Sequence, residues 1–188
     1  MKSKIILINV LIMAIFSSCS PSKEQAAPTS AENGWKQEVA EKLPLLGHRN
    51  WIVVTDMAYP LQTKPGITTI YAGAPYAEII DFVSKQIQAA PHVYAHVYQD
   101  KELSALKEEF CPGIDAFRKS IYDIIPQKDI TSEVHEDLIA KLDSVSAVYQ
   151  VLIIKSNLTL PYTTTFFQLD CKYWNKQQQD QLQQATEK

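Results

Sequence analysis

Short β-branched runs that alternate with stretches of helical periodicity constrain this chain more than any other feature, because strands and helices require incompatible side-chain periods. Trp51-Ile-Val-Val-Thr55 is one such run, closed by Asp56, and Ile67 to Tyr71 is another, entered through the turn signal Lys64-Pro65-Gly66. Both predict strands. Pro75 to Ile87 places Ile79, Ile80, Val83 and Ile87 at helical spacing, with Pro75 suited to the first turn. From Pro91 to Asp100 the pattern alternates strictly, with Val93, Ala95 and Val97 on one face and His92, Tyr94, His96 and Tyr98 on the other, which predicts a half-buried strand. Lys101 to Phe110 and Ile114 to Ile124 are helical in pattern, divided by Cys111-Pro112-Gly113, and Thr131-Ser132-Glu133 predicts the start of a further helix running towards Leu142. Ala147 to Lys155 and Thr163 to Asp170 predict closing strands, and the glutamine-rich stretch Gln177 to Lys188 a frayed helix or tail. Such alternation implies an α/β fold, a single domain with a mixed, partly parallel sheet flanked by helices.

The N-terminal residues follow a different logic. Lys2 and Lys4 precede an apolar stretch from Ile5 to Phe16, broken only by Asn9, and Ser17-Ser18-Cys19 follows as a small-residue cleavage site. The run is too short for the roughly 20 apolar residues of a membrane-crossing helix. A cysteine directly after two small residues resembles the lipobox of bacterial lipoproteins. The expected organisation is a signal peptide over 1–18, a disordered tether over 19–34 with Cys19 lipidated, a folded domain over 35–172 and a polar tail over 173–188. The expected address is the bacterial cell envelope, with a lipid anchor as the only membrane contact.

The formal charge of −3 becomes −5 when Lys2 and Lys4 leave with the signal, which carries no acids. Without a basic stripe interleaved with aromatics, nucleic acid is not an expected partner. Cys111 and Cys171 are well separated and lack a CxxC or nearby ligand cluster, so no metal is expected, and whether they pair in an oxidising envelope stays open. Along the alternating strand His92 and His96 lie about 13 Å apart, too far to chelate one ion, and an interface or aromatic layer is the expected use of that face.

Polar residues at strand ends form two groups. Leu46-Gly47-His48 precedes the first strand and Thr55-Asp56-Met-Ala-Tyr-Pro60 follows it, while Pro161-Tyr162-Thr163-Thr164 introduces the last. His48 and Asp56 lie at opposite ends of one strand, too far apart to meet within a subunit at about 3.3 Å per residue. A shared site therefore calls for a subunit interface. Together these segments resemble the D-ribose pyranase and L-fucose mutarotase family, whose members show Leu-Gly-His, a strand followed by Asp-x-x-x-Pro, and a late Pro-Tyr-x-Asn. The likeness extends over Ile67 to Ile87, with Gly73-Ala-Pro75 before the helix, and ends near Leu169.

The resemblance implies His48 as general acid/base, Asp56 as a ligand of sugar hydroxyls, and Tyr162 with Thr164 lining the pocket. It also implies rings of subunits with sites at their interfaces and a free monosaccharide such as ribose or fucose as substrate. His135-Glu136 resembles a His-Glu element of the family but lies several residues farther from the following strand, so His135 is a candidate binder with a surface helix residue as the alternative. Thr164 stands where the family has asparagine and offers one hydroxyl in place of an amide. Interconverting anomers or ring forms needs one proton removed from the anomeric hydroxyl and one delivered to the ring oxygen, work for a histidine without cofactor. The competing readings are a non-catalytic sugar-binding lipoprotein and a structural scaffold of the same fold.

Overall fold

The computed structural model describes residues 31–187. The expected signal peptide, the lipidated Cys19 and the tether as far as residue 30 lie outside the described residues. Helix α1 spans Ala31–Lys42, so a helix opens inside the stretch expected to be tether. The four residues that bury it and the turn behind it, Trp35, Val39, Leu43 and Leu46, recur at helical spacing on one side of the main core.

Strands β1 (Trp51–Thr55), β2 (Ile67–Tyr71), β3 (Val93–Asp100), β4 (Ile130–Glu133), β5 (Val151–Lys155) and β6 (Thr165–Cys171) form one sheet in the order β2-β5-β1-β6-β3-β4. β1 pairs in parallel with β5, β5 with β2, and β3 with β4, whereas β6 runs antiparallel to both of its neighbours, β1 and β3. The mixed α/β sheet expected from the sequence is the one found.

Side-chain alternation along the central strands builds two cores. Ile52, Val54, Leu152, Ile154, Phe167 and Leu169 face one layer, packed by α1, α2 (Tyr76–Ala89) and α3 (Ile114–Tyr122). Trp51, Val53, Val151, Ile153 and Phe166 face the other, against Leu138 and Leu142 of α4 (His135–Val145). Burial on both faces explains why β1 and β5 read as continuous apolar runs. Gly66 enters β2 where a side chain is excluded, since a Cβ there would lie 2.1 Å from the Ser146 carbonyl oxygen.

Two expectations are corrected. Lys101 to Phe110 is not a helix. It forms a 3-10 turn over Lys101–Ala105 and then a loop, from which the Glu108 carboxylate accepts from the backbone N–H groups of Gly113 and Asp115, both at 2.8 Å, and caps α3. Thr131 does not start a helix, because Ile130–Glu133 pairs with the free edge of β3, where β-branched residues fit, and α4 begins only at His135. Of the two forms expected for the C-terminal segment the structure has the helix, α5 (Lys176–Thr186), held at its start by a capping box between Asn175 and Gln178. Cys111 and Cys171 are free thiols, the first buried and the second half-buried.

Candidate functional site

All strands except β6 point the same way, so the sheet has one edge of strand C-termini and one of N-termini. Open α/β sheets bind ligands at the C-terminal edge. Asp56, Asp100, Glu102, His135, Tyr162 and Thr164 gather there, while His48 lies at the opposite edge, before β1. The structure thus brings Tyr162, Thr164 and His135 into one neighbourhood and keeps His48 away from them by the length of β1, about 16 Å for its five residues.

At the C-terminal edge, Asp56 closes a local turn: one carboxylate oxygen accepts from the backbone N–H groups of Ala58 at 2.7 Å and Tyr59 at 3.1 Å. His135 is the first residue of α4, and its backbone N–H donates to the Glu102 carboxylate at 3.1 Å, an anion placed where the helix dipole favours one. Its ring is not on an isolated surface helix. Nδ1 meets Asp100 Oδ1 at 3.0 Å, and the ring lies edge-on to Tyr162, with centroids 5.4 Å apart. Tyr162 adopts φ +53°, unusual for a residue with a side chain, and is exposed. Thr164 is only 1% exposed, so its hydroxyl is sealed from solvent in the single chain.

Asp100 was not visible as a site residue in the sequence. It ends the alternating strand β3, its carboxyl is fully buried, and Oδ2 has no hydrogen-bond partner among the described residues. Burial pushes its pKa up to about 6, with the His135 ring working against that shift. Burial likewise raises the nearby phenols of Tyr59 and Tyr76, and the Tyr76 hydroxyl is tied to the Val54 carbonyl at 2.9 Å and to Thr165 Oγ1 at 3.0 Å.

At the N-terminal edge, His48 lines a cavity of about 1030 Å³ together with Tyr94, His96, Asp170, Trp174 and residues of α5 such as Gln179. The turn that carries it is fixed by local bonds: Asn50 Oδ1 accepts from Gly47 N–H at 2.7 Å, and Arg49 N–H donates to the Leu169 carbonyl at 3.0 Å. His48 Nδ1 lies 2.6 Å from Asp170 Oδ1, and Arg49 Nε donates to His48 Nε2 at 3.0 Å. Tyr94 and His96 reach the other Asp170 oxygen at 3.2 and 3.4 Å. The aromatic face of β3 therefore divides. Tyr94 and His96 serve this cluster, Tyr98 stacks on Trp51 with centroids 5.7 Å apart, and His92 meets the Leu46 carbonyl at 3.0 Å.

Comparison with known proteins follows the fold. No family model and no curated protein matches the sequence. Among solved structures, the chain is similar to Bacillus subtilis RbsD complexed with D-ribose, at 17% identity over 71% of this chain and 91% of that one, with a TM-score of 0.50. The fucose mutarotase from Streptococcus pneumoniae in complex with L-fucose shares 17% identity over the same fractions, with a TM-score of 0.49. The solved neighbours are thus a ribose-bound protein and a fucose mutarotase, and what the likeness to RbsD shows is a common fold.

Proposed function

We propose that this chain is a cofactor-free monosaccharide mutarotase or pyranase, exported, lipid-anchored through Cys19, and assembled as a homo-oligomer. The observation that supports it most is the placement of an accessible histidine, His48, at one sheet edge and of Asp56, His135 and Tyr162 at the other, on a fold shared with a ribose-bound protein. A ring that sets the His48 edge of one subunit against the C-terminal edge of the next unites them. In that site His48 takes the proton of the anomeric hydroxyl. The ring C–O bond breaks with its electrons on oxygen, which takes a proton from water or from His135, and closure on the other carbonyl face reverses these transfers. Asp56 and Tyr162 hold the sugar. Mutarotation already proceeds in water, so positioning and a general acid/base contribution of about 10² to 10⁴ suffice.

Saturation-transfer NMR on ribose, fucose and related free sugars tests this reading. Faster exchange between ring forms, lost in His48→Ala, is the expected result; no acceleration by the wild-type chain for any of these sugars overturns it. A binding-only reading is favoured by Thr164, which replaces the family's asparagine and is sealed from solvent. Calorimetry showing saturable sugar binding without accelerated exchange selects that alternative.

A further inference from the structure

His48 is held from both sides by groups whose own chemistry leaves no choice of tautomer. Arg49 Nε–H only donates, so the His48 Nε2 it meets at 3.0 Å must carry a lone pair. On the other side stands Asp170, whose carboxyl is held below its usual range. Burial works to raise it, but the Cys171 backbone N–H at 2.7 Å and the side chains of His48, His96 and Tyr94 outweigh that. An ionised carboxylate only accepts, so the proton at the 2.6 Å contact sits on His48 Nδ1.

We propose that Asp170 is the positioning residue of His48, fixing its Nδ1–H tautomer so that Nε2 is the nitrogen that exchanges a proton with the sugar, while Arg49 occupies Nε2 until a hydroxyl replaces it. This deepens the mutarotase reading and rests on it for the role of His48. The backbone is built for the arrangement. Arg49 adopts φ +73°, a conformation that costs energy for any residue with a Cβ, and its guanidinium is anchored at the same time by donating from Nη1 to the Tyr149 hydroxyl at 2.8 Å. In the antiparallel register Tyr94 stands opposite Asp170, so β3 supplies the second pair of donors that keeps this carboxylate in place.

The test uses the full chain labelled with ¹⁵N-histidine, reading the His48 tautomer by long-range ¹H–¹⁵N correlation alongside sugar exchange. In the wild type the Nδ1–H form is expected. Asp170→Asn, which keeps the volume but leaves one acceptor oxygen to serve either the Cys171 N–H or the Tyr94 hydroxyl, is expected to give a mixed tautomer and at least about a tenfold fall in kcat with KM nearly unchanged, as for other partners that orient a functional imidazole. Asp170→Glu is expected to restore the tautomer in part and the rate with it. If Asp170→Asn leaves tautomer and kcat as they were, or changes the tautomer without changing kcat, the assignment is overturned. If the wild type exchanges no sugar while Asp170→Asn still changes the tautomer, the mutarotase reading fails and the Asp170–His48 coupling stands.

Discussion

Each edge of the sheet carries an aspartate that meets histidine, Asp170 with His48 and His96 at one and Asp100 with His135 at the other, and the two sites differ in exposure and in the balance of forces on the carboxyl. At the N-terminal edge the side chains of His48 and Asp170 are 54% and 33% exposed, and four hydrogen-bond donors hold the carboxyl below its usual range. At the C-terminal edge those of His135 and Asp100 are 25% and 0% exposed, and burial pushes the carboxyl up to about 6. The contrast teaches that a carboxylate's state is decided by how many donors reach it against how much water it has lost. The open edge suits proton exchange with a ligand from solvent. The buried edge suits a fixed imidazole whose carboxyl partner titrates within the range of ordinary buffers.

Removing one histidine at a time should break the symmetry most sharply. His135→Ala leaves a buried carboxylate without its partner, and a loss of about 2 to 4 kcal/mol is expected at pH 8 by denaturant titration, shrinking towards pH 5 as Asp100 takes up a proton. His48→Ala, at the exposed pair, should cost less than about 1 kcal/mol. Equal losses at both edges would refute the contrast.

Asp100→Asn gives the next largest effect, with the opposite sign. Because the folded state raises the Asp100 pKa from 3.8 to about 6, the group favours folding below the unfolded value, and that stability is lost as pH rises through about 6. The neutral amide should therefore stabilise the fold by about 1 to 3 kcal/mol at pH 8 and change little at pH 4. Melting curves that keep the wild-type pH dependence would contradict this. The smallest effect belongs to Asp170→Asn. With its folded pKa lowered, Asp170 contributes stability above the unfolded value that disappears as pH falls through the folded one, so the variant should be weaker than wild type at pH 7 by less than about 1 kcal/mol and equal to it in strong acid. A stabilised variant at neutral pH would mean that the two edges are alike.

Much of the fold is legible locally. β1 and β2 stand where their β-branched runs predict, and α2 follows the spacing of Ile79, Ile80, Val83 and Ile87. α1 was legible in the spacing of Trp35, Val39 and Leu43 but hidden by the polar composition around them. The segment after Asp100 misleads because Leu103 and Leu106 have helical spacing, while the competing use of Glu108 as a cap for α3 depends on where that helix begins. β4 misleads for the same kind of reason: its partner is β3, some thirty residues earlier, and only the pairing makes Thr131 a strand residue.

The sequence alone determined the alternation of elements and the candidates His48, Asp56 and Tyr162, because periodicity and short motifs are properties of neighbouring residues. Tertiary structure alone decided that His135 meets Asp100 and Tyr162, that Asp170 holds His48, and that β6 runs against the other strands. Those contacts join residues separated by up to 122 positions. Hydrogen-bond geometry and burial arise only when the sheet brings such distant segments within a few ångströms, so no local pattern records them.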